Sequence, residues 1–267
     1  MLTAVGLLVL CSCAADHSRP ETATLPIHSH NDYEHSEPLW AALRSRARSI
    51  EIDVFPGEGT LLVAHDRDEV RADRTIDTMY LDPLRQRMET LGGVYPHQPD
   101  EQPIILLIDF KAEPERCLAL LVERTRPLKR FLARRDENGV FRGAIVICVS
   151  GVVPRDSIRS LPSRDIFIDG RLADLDSEPC DSMPLISSRW SDTFAWNGTG
   201  PIPPAELERL RAIVRAAHDH DAMVRFWAAP YIPAAWDTLL SAGVDLINTD
   251  RPNELADHLD PPSSRAE

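Results

Sequence analysis

Eight short apolar runs, rich in Val, Ile and Leu, recur along the 267-residue chain, and segments with helical periodicity separate several of them. Such runs are typical of strands buried on both faces, and their alternation with helices predicts parallel strands joined by crossovers. Eight units of this kind in about 240 residues predict a (β/α)8 barrel of the TIM type. The predicted strands are residues 25–29, 49–55, 103–110, 144–150, 165–169, 184–188, 223–228 and 244–248.

A ninth run, residues 60–65, is predicted to form a hairpin with the second strand, turning at "PGEG". The first helix is predicted to open at Ser36, with Glu37 and Pro38 in its first turn. A doubly wound open sheet is the alternative architecture. No Gly-x-Gly-x-x-Gly turn follows the first strand, so a dinucleotide-binding fold has little support. The predicted helices are residues 36–47, 114–125, 203–221 and 232–243.

The charge balance is strongly acidic, with a formal net charge of −13 and a pI of about 5.1. Nucleic-acid-binding surfaces are usually basic, so a nucleic-acid partner is disfavoured. The excess of acids keeps the protein soluble and could also hold a divalent cation. The five cysteines include no Cys-x-x-Cys pair, so neither a zinc knuckle nor a disulfide framework is indicated.

The first 13 residues are apolar and shorter than the roughly 20 residues that a membrane-spanning helix needs. They are typical of the apolar region of a secretory signal, and "LCSC" resembles a bacterial lipobox with Cys13 as the lipidated residue. No Lys or Arg precedes the run, which leaves a misplaced start, a weak signal, or a disordered or buried N-terminus as alternatives. We therefore expect a leader and tether over residues 1–24, a single domain over residues 25–260, and a secreted, periplasmic or cell-envelope lipoprotein.

Polar residues cluster where the first three predicted strands end. His28 and His30 end the first strand. Glu51 and Asp53 are two residues apart on the second strand, so both side chains point to one face. Asp109 and Lys111 repeat this spacing on the third strand. In such barrels, catalytic residues project from the C-terminal ends of strands, and Mg²⁺ and Ca²⁺ prefer carboxylate oxygens. The alternative is that these residues are polar strand ends without a site.

The order of these motifs resembles a known family. "HND", "EIDV", "AHD", "IDFK", "FW" and "INTDRP" follow one another as in the glycerophosphodiester phosphodiesterases of the phospholipase-C-like superfamily. "HSHNDY", "MYLDPL", "LLIDFK" and "AAHDHDAMVRFWAAP" are most similar to the altered-inheritance-of-mitochondria protein 6-like branch. The resemblance runs from about residue 25 to residue 258. It implies a barrel-shaped, metal-dependent phosphoric diester hydrolase.

The resemblance also implies residue roles. His30 and His65 match the family histidines, expected to act as acid and base. Asn31 stands where better-known members have Arg, so a bidentate phosphate clamp is missing and glycerophosphodiester specificity is in doubt. The short stretch after His65 leaves little room for an inserted capping domain. The expected ligands of Mg²⁺ or Ca²⁺ are Glu51, Asp53 and Asp109. The residues expected to bind the phosphate or the rest of the substrate are Lys111, Asn31, Trp227 and Arg189. His28 and Asp66 are expected to support the two histidines.

Other interpretations fit parts of the pattern. His28-Ser29-His30 also matches the opening of amidohydrolase-type metallohydrolases, but the middle strands end without histidine. A non-catalytic lipoprotein that binds a phosphorylated ligand is a second alternative. "HDHD" at residues 218–221 is predicted to be a solvated helix end. Plain core packing is the alternative for Trp227. The expected partner is a small phosphodiester or a phospholipid headgroup, with a membrane tether through Cys13.

Overall fold

Eight parallel strands close into a barrel in the computed structural model, which describes residues 24–96, 98, 102–135, 141–176 and 182–261. The predicted lipidation site at Cys13 and residues 1–23 of the predicted leader lie outside the described residues, as does Cys180. The described cysteines, Cys117 and Cys148, are buried free thiols. In chain order the strands are β1 Leu25–Ser29, β2 Ala47–Pro56, β3 Leu61–Val63, β4 Ile104–Phe110, β5 Arg134–Arg135, β6 Phe141–Arg142, β7 Ile145–Gly151, β8 Ile166–Gly170, β9 Leu185–Arg189, β10 Met223–Trp227 and β11 Leu246–Thr249.

The barrel closes at β1, which pairs in parallel with both β2 and β11. Ser29 faces Ile50 on one side and Thr249 on the other. The remaining order is β11, β10, β9, β8, β7, β4 and β2. This closure confirms the predicted barrel and is incompatible with the doubly wound alternative. β3 pairs antiparallel with the end of β2, which confirms the predicted hairpin.

Helices cover the outside of the barrel. They are α1 Trp40–Arg44, α2 Asp82–Leu91, α3 Pro114–Arg124, α4 Arg155–Arg159, α5 Pro204–His218, α6 Pro233–Ser241 and α7 Pro252–Leu259. Pro lies in the first turn of α2, α3, α5, α6 and α7. Backbone N–H groups in the first turn have no acceptor within the helix, so proline, which lacks the N–H, breaks no helical hydrogen bond there. None of the helices in the described ranges is long and apolar enough to cross a membrane.

The predicted start of the first helix at Ser36 is wrong. Leu39 has a φ of 66°, and its N–H donates to the carboxylate of Asp32 at 2.5 Å. A residue in that conformation cannot lie inside a right-handed helix, so α1 begins only at Trp40. The composition of residues 36–38 suits a helix start, but the hydrogen bond from Leu39 to Asp32 decides the backbone there.

The strands have two different faces, because side chains alternate along each strand. One large apolar cluster joins strand residues such as Leu106 of β4 to helix residues, including Leu121 of α3 and Leu210 of α5. A second, smaller cluster contains no helix residue and therefore fills the lumen of the barrel. Its buried members are Ile105, Leu107, Ala133, Val146, Cys148, Phe167, Leu185 and Leu246. Above this apolar layer the inward-facing residues are polar, and they form the site.

Candidate active site

Three carboxylates meet at the C-terminal half of the lumen. Glu51 and Asp53 come from β2, and Asp109 from the adjoining β4, where Asp53 and Asp109 are paired in register. One oxygen from each lies within 4.8 Å of the others. Period-two spacing on β2 places both acids on the inner face, as the sequence predicted. Three acids this close repel one another unless cations lie between them.

Asp53 is fully buried and its two oxygens have different surroundings. Its Oδ2 receives hydrogen bonds from Tyr33 Oη at 2.8 Å, His65 Nδ1 at 2.9 Å and Lys111 Nζ at 2.6 Å. Its Oδ1 has no hydrogen-bond partner within the part of the chain that the structure describes. A buried acceptor without a partner is costly, so this oxygen is suited to a ligand.

Asp109 carries excess local negative charge. Burial, and then the charge of Asp53, raise the pKa of Asp109 to about 6, although Lys111 at 3.4 Å acts in the opposite direction. Gly151, with a φ of +71°, lies directly against this carboxylate. A Cβ there would lie only 2.5 Å from the carbonyl oxygen of Phe110 and would also meet Asp109 Oδ1. The glycine therefore leaves space for the carboxylate beside β4.

Glu51 is held by a buried cation on the opposite side of the lumen. Arg225 of β10 donates from Nη1 to Glu51 Oε2 at 2.8 Å, and His28 Nε2 lies 2.7 Å from the same oxygen. Burial alone would raise the pKa of Glu51, but Arg225 and the His28 hydrogen bond hold it well below its usual value. Burial and the charge of Arg225 lower the pKa of His28 to about 3, so this histidine is neutral. Its Nδ1 lies 2.7 Å from Ser49 Oγ. The expected supporting role of His28 stays a prediction.

Two further histidines lie at the mouth of the barrel, each against a carboxylate. His30 Nδ1 lies 2.6 Å from Asp250 Oδ1, and His65 Nδ1 lies 2.9 Å from Asp53 Oδ2. Their side chains are 28% and 50% exposed. Because a carboxylate can only accept, each Nδ1 carries the proton and each Nε2 is left to face a ligand. Burial lowers the pKa of His30, but the bond to Asp250 and the charge of Glu51 outweigh it, and the pKa is raised overall.

The structure assigns the support of His65 to a different residue from the one expected. Asp66 is exposed, and its backbone N–H donates to Glu69 at the start of a single 3-10 turn. The neighbour in sequence points away because the chain leaves the hairpin at this point. Asp53, which is 12 residues earlier, holds the ring instead.

A second polar cluster lines the opposite wall. Ser150 Oγ and Arg171 Nη1 each donate to Asp169 Oδ2 at 2.8 Å. Asp169 is buried, and its Oδ1 has no partner among the described residues. The Arg171 guanidinium lies 5.6 Å from the ring centre of Trp227, a partly exposed residue of the inner face of β10. Trp227 is therefore part of the wall of the site.

The other predicted positions lie around the rim. Arg189 is exposed at the end of β9, in register with Trp227. Asn31 has the left-handed conformation, with a φ of 42° and a ψ of 48°, and begins the turn Asp32–Glu34. His218 of the "HDHD" segment lies at the end of α5, 2.9 Å from Asp245. In the fold it is distant from the three carboxylates of the lumen. Trp190 packs outside the barrel against Phe194.

Several residues of the site were missed in the sequence, among them Arg225, Asp169 and Tyr33. Arg225 and Asp169 lie on inward-facing positions of their strands, so the alternation that selects Glu51 and Asp53 could also have selected them. A charged residue inside an apolar run such as "MVRFW" is the signal. Tyr33 gave no such signal, because its position depends on the turn after β1.

The donor set suits a hard divalent cation. Oxygen ligands from three carboxylates, one with an unpartnered buried oxygen, match the preference of Mg²⁺ and Ca²⁺. Zinc sites use nitrogen and sulfur more often. The residues present therefore fit the group that the resemblance implies, with Glu51, Asp53 and Asp109 as its ligands.

Comparisons with known proteins point to one family. A family model described as "AIM6-like phosphodiesterase domain" matches residues 16–169, and one described as "Glycerophosphoryl diester phosphodiesterase family" matches residues 223–253. The altered inheritance of mitochondria protein 6 homolog of Arthroderma benhamiae is 29% identical over 260 residues, which cover 86% of this chain and 82% of that protein. The altered inheritance of mitochondria protein 6 of Eremothecium gossypii is 26% identical, with 90% and 70% covered.

Among solved structures, a glycerophosphodiester phosphodiesterase from Agrobacterium tumefaciens superposes with a TM-score of 0.47 and 17% identity, covering 90% of this chain and 97% of that one. The first family model spans more than half of the chain. The chain belongs to the family of AIM6-like phosphodiesterase domains.

Proposed function

We propose that the chain is a metal-dependent phosphoric diester hydrolase that uses two histidines as acid and base. The observation that carries the proposal is the arrangement of three converging carboxylates, one with an unpartnered buried oxygen, beside a lysine and two carboxylate-held histidines. A phosphodiester needs charge neutralisation, an activated nucleophile and a proton for the departing alkoxide. This set of residues offers all three.

The charges of the lumen match such a substrate. Four acids face three cations there, which leaves one net negative charge while His28 is neutral. One divalent cation changes this balance to a single positive charge. A phosphodiester carries one negative charge, which this positive balance attracts; the histidines at the mouth are not part of the count. The acids are Glu51, Asp53, Asp109 and Asp169, and the cations are Lys111, Arg171 and Arg225.

The chain's own residues would divide the work. A bound divalent cation supplies Lewis-acid polarisation of the phosphoryl oxygens. Lys111 adds a positive charge for the phosphate. His30, whose Nδ1 proton is directed at Asp250, presents Nε2 as the base for the attacking group, which is water or a neighbouring hydroxyl of the substrate. His65, held by Asp53, donates a proton from Nε2 to the leaving oxygen.

The amidohydrolase alternative fits less well. His28 is buried and its two ring nitrogens lie against Ser49 and Glu51, so it is not free to bind a metal beside His30. His30 itself directs Nδ1 to Asp250. The His-x-His pair therefore does not present two free imidazoles to one cation.

The test is hydrolysis of bis-p-nitrophenyl phosphate with Mg²⁺, Ca²⁺ or no added metal. We expect metal-dependent activity that falls by about 10²–10⁴-fold in His30→Ala, the range for loss of a general base. His65→Ala should lose less activity on this substrate, because p-nitrophenolate leaves without needing a proton, and should lose more on a diester with an alkoxide leaving group. Glu51→Gln should abolish the metal-dependent activity, because it removes a ligand of the cation.

His258→Ala is the matched control for His30→Ala. His258 also contacts a carboxylate, Asp237 at 2.8 Å, and is 29% exposed, but it lies on α7 outside the barrel. Its replacement should leave the rate unchanged. Absence of activity with every metal would support the non-catalytic alternative instead, and activity that survives His30→Ala would show that the proposed site is wrong.

The substrate and location remain part of the proposal. Asn31 lacks the guanidinium of better-known relatives, so we propose a small phosphodiester or phospholipid headgroup without assuming glycerol. A diester panel tested with several metals would identify it. The leader prediction adds attachment to a cell envelope through Cys13, and Cys13→Ser should then release the protein from the membrane fraction.

A further inference from the structure

The loop after β1 is held in one conformation by buried hydrogen bonds. Asn31 and Leu39 both have positive φ, at 42° and 66°, which is strained for residues other than glycine. Asp32 accepts from Ser29 Oγ at 2.9 Å, Leu39 N at 2.5 Å and Tyr80 Oη at 2.9 Å. Strain of this kind persists only where surrounding contacts enforce it, and it is common near functional sites.

The loop delivers one buried hydroxyl to the site. Tyr33 is 1% exposed, and its carbonyl oxygen accepts from Arg74 at 2.7 Å. Its hydroxyl donates to Asp53 Oδ2 at 2.8 Å and lies 3.3 Å from His65 Nδ1. Because a carboxylate oxygen only accepts, the Tyr33 hydroxyl is the donor in this contact.

The hydroxyl has a property that the other donors to Asp53 lack. Lys111 and a protonated His65 carry charge, and both have other tasks during a reaction. Tyr33 is uncharged and rigid, so it can orient the carboxylate without competing with a cation for its negative charge. Neighbouring hydrogen bonds of this kind commonly fix the direction of a metal-binding carboxylate.

We infer that Tyr33 is a positioning residue for the cation site: its hydroxyl fixes Asp53 Oδ2, directs Oδ1 to the cation and keeps His65 against the same carboxylate. This inference rests on the proposed function. It gives a role to the final residue of the "HSHNDY" motif, which the acid-base and metal assignments leave unused.

The experiment measures binding of Mg²⁺ and of Ca²⁺ alone to Tyr33→Phe by isothermal titration calorimetry. We expect a loss of about 10–100-fold in affinity, the usual effect of removing a residue that orients a ligand. Tyr95→Phe is the matched control. Tyr95 is also a buried tyrosine, but its hydroxyl donates to Ala47 O at 2.9 Å, at the opposite end of β2. Its cation affinity should equal that of the wild type.

A concentration series separates positioning from general damage. At cation concentrations that saturate Tyr33→Phe, its rate on bis-p-nitrophenyl phosphate should rise towards the wild-type rate. Asp32→Asn weakens the hydrogen bonds that fix the loop after β1 and does not contact Asp53. It should lower the cation affinity by a smaller factor. This variant replaces Tyr33→Phe in the test if Tyr33→Phe does not fold.

The outcomes distinguish the two proposals. A wild-type protein that neither binds a divalent cation nor hydrolyses diesters overturns the proposed function. A wild-type protein that does both, with unchanged affinity in Tyr33→Phe, or in Asp32→Asn where that variant is used, overturns the inference about Tyr33 alone.

Discussion

Replacing Arg225 by Met should destabilise the barrel more than any surface charge change. Arg225 is 3% exposed, and its guanidinium donates to Glu51 at 2.8 Å, Ser187 at 3.2 Å and Asn248 at 3.3 Å. Met keeps most of the aliphatic stem and removes the charge. Glu51 is then left buried without its cation, and breaking a buried pair from one side costs about 3–5 kcal/mol.

That cost is measurable by standard unfolding. For a domain of this size, each kcal/mol shifts the midpoint of thermal unfolding by about 2–4 °C, so a decrease of roughly 6–20 °C is expected. Urea titration and calorimetry with a chelator present give the free energy directly. Arg215→Met is the control, because its ion pair with Glu208 is 60% and 67% exposed and worth about 0–1 kcal/mol.

The double variant Arg225→Met/Glu51→Gln tests the reason for the loss. Removing both charges should recover at least about 1 kcal/mol relative to the sum of the two single changes, since contacting residues couple. Excess divalent cation should also reduce the loss in Arg225→Met. A loss no greater than in Arg215→Met, or strictly additive single changes, would refute the argument that Arg225 compensates a buried carboxylate.

Three further outcomes follow from the same geometry. The His30–Asp250 pair should stabilise the fold fully between the ordinary pKa values of 3.8 and 6.5. Its contribution should fade as pH rises through the raised pKa of His30 or falls through the lowered pKa of Asp250. The difference in unfolding free energy between wild type and Asp250→Asn should therefore be bell-shaped in pH, and a flat difference would contradict the pairing. Gly151→Ala should weaken cation binding and destabilise the protein by more than about 2 kcal/mol, because a Cβ there meets Phe110 O at 2.5 Å. Gly92→Ala is the control, because Gly92 has a φ of +77° but open space around it. It should lower the free energy of unfolding, measured by chemical denaturation, by only about 1 kcal/mol. A cation at 100 times its dissociation constant should stabilise the wild type by about 2.7 kcal/mol in the same assay, and Glu51→Gln should lose this gain.

The strands could be predicted from sequence because each is a short β-branched run with polar ends. The eight barrel strands and β3 begin and end within two residues of those expected, and the closure of β1 on β2 and β11 confirms the barrel. The two-residue strands β5 and β6 were not predicted. The two acids of β2 were predictable for a similarly local reason, since a spacing of two places them on one face.

Contacts between distant residues set the limit of that reasoning. The partner of Glu51 is Arg225, which is 174 residues away. The group that orients His65 is Asp53 and not the adjacent Asp66, because the hairpin returns the chain to the end of β2. The first helix begins late because Leu39 N–H is used by Asp32. No local pattern contains these pairings.

The apolar layer in the lower lumen has a consequence for molecular traffic. Side chains such as Leu107, Cys148 and Phe167 fill the interior beneath the acids, so the lumen is closed at this end and opens at its C-terminal end. A ligand that reaches the acids has to enter at the C-terminal mouth, and both fragments of a cleaved diester have to leave by that route. The fragment nearer the rim would then leave first, and the deeper fragment, which leaves last and can rebind the empty site, would inhibit competitively when added in excess.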